Sequence, residues 1–258
     1  MKLVSICHHA HLAALLCVAI TCIAHGAALA QDATRDERST AAASSAQLEP
    51  VVVVAMKDAA RVSYARLLDG VATFNAKRNL APGAVLYFVA HDQSTLTQPL
   101  QLKIETAEKA IPIDIDANGR FVLPIIDITK VEVGDIVSNR RAGQLEITAR
   151  VVSPGTTEST RRFGDLRLEC EVDWAIEKHN ASLLIKAAVK LAGGLCTSAS
   201  LSTVFGFPRK VLDAELSFGD RTAKFAPFSD GVSVRLPLYD TTWSDETRVV
   251  FHPDTQTQ

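Results

Sequence analysis

Two hydrophobic periodicities alternate along the chain, and together they predict a body of strands with two helices. Between Tyr64 and Phe74 the large apolar residues recur three or four positions apart, which is the spacing of an amphipathic helix. Ser63 supplies an N-cap, and the Ala-Pro-Gly turn that begins at Ala81 supplies a stop signal. We therefore expect a helix over about 63–78.

From residue 84 onward, apolar and polar residues alternate with the period of two that is typical of half-buried strands. The Asn118-Gly119 pair between two such runs predicts a hairpin turn. A Val-rich run over 50–56 predicts a further strand that is buried on both faces. The strands predicted by alternation cover 85–90, 100–105, 111–115, 120–125, 131–137, 144–152, 201–207, 211–218, 221–225, 232–239 and 247–251.

The stretch from Leu166 to Trp174 alternates between apolar and charged residues, which predicts a strand with one buried face. Cys170 lies on the apolar side of that pattern, so we expect it to point inward. Asn180 then caps a predicted helix over 181–192, which two glycines end. Because this helix is apolar except for one stripe of a serine and two lysines, we expect it to be mostly buried.

These elements predict a mainly β fold of the α+β class, an antiparallel β-sandwich-like body with two accessory helices. Length alone leaves open whether this body is one composite domain or two. The predicted organisation is a signal peptide over 1–30, a flexible tether over 31–48, a β-sandwich-like region with the first helix over 49–160, a second β-rich region with the buried helix over 161–253, and a disordered tail over 254–258.

The first 30 residues have the order of a cleavable secretory signal: Lys2, an apolar run from Leu12 to Ile23, and small residues that end at Ala30. The apolar run is only about a dozen residues long, whereas a bilayer span needs about 20. We therefore expect cleavage after Ala30, no transmembrane segment in the mature chain, and a periplasmic or secreted protein. Cys22 leaves a lipid-anchored form open as the alternative.

Cleavage at that point would remove one of the 27 basic residues and none of the 29 acidic ones, so the mature chain stays slightly acidic. Nucleic-acid binders usually carry a clustered excess of Lys and Arg, and this composition argues against a nucleic-acid partner. Of the five cysteines only Cys170 and Cys196 would remain. In an oxidising compartment we expect these two to form a disulfide, with two separate buried thiols as the alternative.

The motif from Asp114 to Gly119 matches the first half of a calcium loop of the EF-hand type. Its twelfth position must be a bidentate glutamate, but here it is Ile125, and predicted strands rather than helices flank the motif. We interpret the motif as a polar-faced hairpin and predict no metal site. A weak divalent-ion site at Asp114 and Asp116 remains the alternative.

The sequence contains no nucleophile-elbow motif, no Ser-x-x-Lys pair and no glycine-rich phosphate loop, so we predict no catalytic residue and no cofactor. The remaining route to an enzyme is a carboxylate pair, Glu169 and Glu171, which a strand would carry about 6–7 Å apart on one face. Alternating charges on a solvent face explain the same pair without catalysis. The histidines outside the signal show no metal-ligand spacing; they are His91, His179 and His252.

Two basic pairs fall at predicted loop positions, Arg140-Arg141 and Arg161-Arg162. Such pairs would suit anionic components of the envelope, and this is the only class of partner that the sequence suggests. Ordinary solvated loop charges produce the same pattern, so the partner remains unidentified at this level.

The stretch Ile113–Pro124 contains an Asp-x-x-Gly-x-Phe turn before a predicted strand and resembles the hairpin of carboxypeptidase-regulatory-like and transthyretin-like β-sandwich modules. That resemblance implies a non-catalytic β-sandwich. The segments Leu80–Pro82 and Gly164–Cys170 are similar to those of exported proteobacterial proteins without assigned activity, which implies no function. We therefore predict an exported envelope protein that acts as a non-catalytic binding or structural module, with a small secreted carboxylate-pair hydrolase as the alternative.

Overall fold

The computed structural model describes residues 58–127, 133–201, 203–207 and 209–254. Within these residues 13 strands form antiparallel sheets and three α-helices pack against them, which confirms the mainly β, α+β class. The predicted signal peptide, the tether, the Val-rich strand over 50–56 and most of the tail lie outside the described residues. None of the described helices is long and apolar enough to cross a membrane.

The elements are runs of strands that are interrupted by one helix after the first strand and by two consecutive helices after the eighth strand. In chain order they are β1 (Ala59–Ser63), α1 (Tyr64–Ala76), a 3-10 turn (Arg78–Leu80), β2 (Val85–Asp92), β3 (Leu102–Thr106), β4 (Ala110–Ile113), β5 (Arg120–Phe121), β6 (Val133–Arg141), β7 (Leu145–Val152), β8 (Thr160–Arg162), α2 (Phe163–Glu177), α3 (Leu183–Leu191), β9 (Val204–Gly206), β10 (Val211–Phe218), β11 (Arg221–Phe225), β12 (Ser233–Arg235) and β13 (Arg248–Pro253).

The strands form two larger sheets and two smaller ones. The strand orders are β1-β6-β3-β4 and β5-β2-β7 in the first half, and β11-β10-β13-β8 and β12-β9 in the second half. The two sheets of the first half share one hydrophobic core with α1, and the sheets of the second half enclose a separate core. The predicted helix over 63–78 is thus confirmed as α1, and the best-predicted strands are β2, β7, β10 and β11.

Helix α2 connects the two cores, and the prediction of a strand over 166–174 is wrong. Leu168, Val172 and Ile176 pack into the first core. Leu166 and Cys170 pack into the second. Residues two apart on a helix point about 200° away from each other, so a helix buried on two opposite sides produces the same alternation as a strand.

The Asn118-Gly119 turn joins two different sheets, so the prediction of a simple hairpin is also wrong. β4 pairs with β3, whereas β5 pairs with β2. The Asp116 carboxylate accepts hydrogen bonds from the backbone amides of Asn118 and Arg120, each at 2.8 Å. Gly119 has φ of +76°, and a Cβ there would lie 2.4 Å from the Ala90 carbonyl oxygen, which excludes any larger residue.

Helix α3 is exposed, which corrects the prediction of a mostly buried helix. Its N-cap is Ser182, whose Oγ accepts a hydrogen bond from the Ile185 amide at 3.3 Å, rather than the predicted Asn180. Val189 is its only buried residue. The apolar composition suggested burial, but no part of the chain that the structure describes covers the other apolar side chains.

The predicted disulfide is present and attaches the segment after α3 to the second core. Cys170 on α2 and Cys196 beyond α3 are bonded, with their Cα atoms 5.9 Å apart. Both residues are buried in the second core. Because α3 has a single buried anchor of its own, this bond is a principal attachment of α3 to the rest of the protein.

Loss of this disulfide should lower the free energy of unfolding by about 3 kcal/mol, because the bond restricts a loop of 26 residues in the unfolded chain. We expect this loss in Cys170→Ala/Cys196→Ala, measured by urea denaturation. Reduction of the wild-type protein provides an independent control and should give a comparable loss. A loss below about 1 kcal/mol in both cases would show that the bond contributes little.

Candidate functional site

Three acidic residues of α2 form a buried ridge against β7. They are spaced four apart, as Asp165, Glu169 and Asp173, so they share one side of the helix. All three are buried. Asp165 accepts hydrogen bonds from Ser153, at 2.6 Å from the hydroxyl and 3.1 Å from the backbone amide. Buried carboxylates require such partners, because isolated charges are costly to remove from water.

Glu169 is the centre of a buried ion-pair network. Its carboxylate accepts hydrogen bonds from Arg161 at 2.7 Å, from Arg150 at 3.2 Å and from the Val151 backbone amide at 2.9 Å. Burial alone would raise the pKa of Glu169, but the two arginine charges and the Val151 amide together lower it below its ordinary value. Glu169 therefore remains ionised, and both of its oxygens are already bonded.

The arginine pairs predicted to lie in loops instead lie at strand positions, and one member of each pair is buried. Arg140 in β6 donates to Asp92 at 2.7 Å and to the Gln98 carbonyl at 2.5 Å. Arg161 in β8 donates to Glu169 and to the Val151 carbonyl. Since consecutive side chains of a strand point to opposite faces, each pair places one arginine inward. The inward arginines are structural and are not available to a partner.

Asp173 differs from the other two acids because one of its oxygens, Oδ2, has no hydrogen-bond partner among the described residues. Burial and, to a lesser extent, the nearby Glu169 charge raise the pKa of Asp173 to about 7, against the opposing effect of Arg150. Asp173 is only 6% exposed, so water does little to reduce the free-energy cost of ionising its carboxyl group. Asp173 thus changes its protonation state near neutral pH while Glu169 stays charged.

The predicted pair of Glu169 and Glu171 does not come together. Because α2 is a helix, these side chains point about 200° apart rather than along one face. Glu171 instead pairs with Lys77 of the first half at 2.8 Å. The pair that the helix does bring together is Glu169 with Asp173. This pair was not predicted, because a strand brings together side chains two positions apart and not four.

The space beside Asp173 is small. A cavity of about 60 Å³ lies between β7 and α2 and is lined by Thr148, Asp173 and Trp174 among others. This volume is far below the range of about 300–1,000 Å³ that is typical of small-molecule sites, so the cavity is too small for a sugar ring. With Glu169 fully bonded, the ridge is arranged to hold charge inside the fold rather than to act on a substrate.

The three histidines lie at separate places. His91 Nε2 lies 2.9 Å from Thr148 Oγ1, and burial, followed by the Arg150 charge, lowers the pKa of His91. The other two each face an aspartate, His179 with Asp69 and His252 with Asp213. No group of three or more metal-ligand side chains occurs among the residues that the structure describes. Asp116 is already used by its own turn.

A cleft of about 650 Å³ lies between the end of α2 and α3. Trp174 and Val189 are its apolar lining residues, and two glycines after α3 provide backbone surface. Its remaining lining side chains are all basic; they are Lys178, His179, Lys186 and Lys190. This combination of an apolar floor and a positive rim is suited to a ligand with both an apolar and an anionic part.

Only some of the basic side chains at the rim of the cleft have an acidic partner. Lys178 and His179 both face Asp69, at 3.9 and 2.7 Å. Lys186 and Lys190 form no ion pair with any residue in the described part of the chain. The sequence contains no acidic residue between Glu177 and Asp213, so the surroundings of α3 are positive although the protein as a whole is slightly acidic.

Lys186 and Lys190 lie in a different environment from the one that the sequence predicts. They were expected as the polar stripe of a buried helix, whereas they border the cleft. The acid-free stretch was the available signal for a positive surface. The contribution of Trp174 could not be predicted, because it depends on α2 being a helix.

Comparison with protein-family models, curated proteins and solved structures found no match to this chain.

Proposed function

We propose that this protein is an exported, non-catalytic binding protein of the bacterial envelope, and that its ligand site is the cleft between α2 and α3. The observation that carries the proposal is the composition of the cleft, which has an apolar floor and only basic side chains at its rim. Its volume of about 650 Å³ lies within the range of about 300–1,000 Å³ that is typical of small-molecule sites.

The ligand class follows from the two parts of the cleft. Lys186 and Lys190 offer ammonium groups without a protein partner among the described residues, so an anionic group can take them without breaking an existing ion pair. Trp174 and Val189 offer apolar surface, on which an alkyl chain loses contact with water. The ligand is therefore an anionic amphiphile, such as an alkyl carboxylate.

Export is supported by the order of residues in the first 30 positions and by the Cys170–Cys196 bond, since disulfides persist mainly in oxidising compartments. Envelope lipids and their degradation products supply anionic amphiphiles in that compartment. The alternative of a carboxylate-pair hydrolase has less support, because Glu169 has no free oxygen and the cavity beside Asp173, at about 60 Å³, is far smaller than a typical small-molecule site.

Decanoate below its micelle concentration should bind saturably and change the fluorescence of Trp174. A Trp243→Phe background leaves Trp174 as the only tryptophan of the chain. In that background Lys186→Gln/Lys190→Gln should weaken decanoate binding at least about tenfold, because each charged hydrogen bond contributes about 1.5–3 kcal/mol. Octyl glucoside, which has no charge, should bind much more weakly than decanoate.

Lys103→Gln/Lys109→Gln is the matched control, since it removes the same charge from the first half of the protein. It should leave decanoate affinity unchanged. The proposal is wrong if Trp174 fluorescence does not respond saturably to decanoate, or if both double variants weaken binding equally.

A further inference from the structure

The exposed side of α3 is apolar, which is unusual for a helix on the surface of a folded protein. Leu183, Leu184 and Leu191 are 84%, 81% and 90% exposed. Ile185 is also exposed. We call these four side chains the α3 arc. No other α-helix of the described chain carries exposed large apolar residues.

The arc is continuous around the helix. Leu184, Ala188 and Leu191 lie at positions i, i+4 and i+7 and form one stripe, while Leu183 and Ile185 widen it on its two sides. Val189, the buried anchor, lies about 40° beyond Ile185 around the helix and faces away from the stripe. The helix therefore contacts the protein mainly through Val189 and exposes its wider apolar face to solvent.

The charges around the arc are of one sign. Lys186 and Lys190 border it on the side of the cleft, and no acidic residue occurs between Glu177 and Asp213. The arc is apolar in its middle and positive at its edge. It is therefore complementary to a surface that has a negative outer layer over an apolar interior. An anionic lipid bilayer is such a surface.

We propose that α3 docks onto the surface of a bilayer that contains anionic lipid, with the arc inserted among the acyl chains and the two lysines at the headgroups. α3 has nine residues and is about 14 Å long, less than half of a hydrocarbon core of about 30 Å, so it lies in the interface and does not span it. Lysines at the edge of such a helix attract anionic headgroups.

The shape of the arc favours a bilayer over a protein partner. A stable protein interface of ordinary size involves about 20–30 residues on each side. The arc has four large apolar side chains on one protruding helix, which a fluid interface can surround without a preformed groove. This inference goes beyond the proposed ligand site, because the arc side chains do not line the cleft, although Lys186 and Lys190 contribute to both surfaces.

The test is flotation of the mature protein with vesicles of phosphatidylglycerol and phosphatidylcholine, compared with vesicles of phosphatidylcholine alone. We expect binding to the anionic vesicles that weakens as salt is added. Leu184→Gln/Leu191→Gln should reduce the partition coefficient at least about tenfold, because it removes two large apolar side chains from the inserted face.

Val122→Gln is the matched control, since Val122 is 72% exposed but lies in the first half of the chain. It should bind the vesicles like the wild type, and circular dichroism should show both variants folded. The proposal is overturned if the double variant binds equally well, or if the wild type does not bind anionic vesicles.

Self-association would also overturn it. Suppose that the wild type dimerises in solution, that Leu184→Gln/Leu191→Gln abolishes the dimer, and that neither of these two proteins binds vesicles. The arc is then an interface between two copies of this chain. Decanoate binding separates this result from the proposed function. If the protein binds decanoate but no vesicles, the ligand site is supported and the docking surface is not. If it binds vesicles but no decanoate, only the docking surface is supported.

Discussion

Glu169→Gln should lower the free energy of unfolding by about 3–5 kcal/mol, the largest effect that we expect from a single substitution. Glu169 is the counterion of Arg161, whose side chain is 7% exposed. Removal of one partner leaves the other charge buried without compensation, and this is the source of the large cost. The Arg161 Nε has no hydrogen-bond partner among the described residues, so the network has no spare acceptor to replace the carboxylate.

The measurement is urea denaturation of the protein at neutral pH. Glu171→Gln is the control, because it removes the same charge two positions away on α2. Glu171 forms a more exposed ion pair with Lys77, and its loss should lower the free energy of unfolding by no more than about 1 kcal/mol. Equal losses in the two variants would mean that the buried network does not stabilise the fold.

Asp173→Asn should make the protein less sensitive to pH between about 4 and 7. Burial raises the pKa of Asp173 to about 7 in the folded protein, against an ordinary value of 3.8. Within this window the folded state holds a proton that the unfolded state has released. The free energy of unfolding of the wild type therefore falls as pH rises through the window, by roughly 4 kcal/mol from this residue.

The asparagine variant cannot ionise, so it lacks this decline. We subtract the free energy of unfolding of the wild type from that of Asp173→Asn. This difference should increase by roughly 4 kcal/mol between pH 4 and pH 8. Denaturation at a series of pH values measures it, and the comparison of two pH values cancels any fixed cost of the buried amide.

A direct titration of the Asp173 carboxyl carbon by NMR gives an independent check. Because the Glu169 charge is one cause of the raised pKa, Glu169→Gln should bring the Asp173 titration to lower pH. A difference between Asp173→Asn and wild type that does not change with pH would contradict the assignment.

Local patterns predicted several elements with bounds close to those observed. The apolar spacing after Ser63 and the following turn predicted α1, and strict alternation predicted β2, β7, β10 and β11. The disulfide was predicted from compartment and number, because only two cysteines lie outside the predicted signal. Each of these features depends on residues that are close in sequence or on a simple count.

The candidate site was predicted much less well. Glu169 was singled out with the wrong partner, since a helix pairs it with Asp173 and a strand would pair it with Glu171. Arg161 was expected to be solvated, but it is buried against Glu169. Lys186 and Lys190 were noticed, but the cleft that they border depends on where α2 and α3 lie in the fold.

The sequence by itself determined the β-rich class, the position of α1, most strand positions and the pairing of Cys170 with Cys196, because these follow from side-chain periodicity, turn chemistry and cysteine number. Only the tertiary structure decided that α2 is a helix between two cores and that α3 is exposed. Alternation cannot distinguish one buried face of a strand from two buried sides of a helix, and an apolar helix contains no information about what covers it. Burial is a property of the neighbours that folding brings together, and those neighbours are distant in sequence.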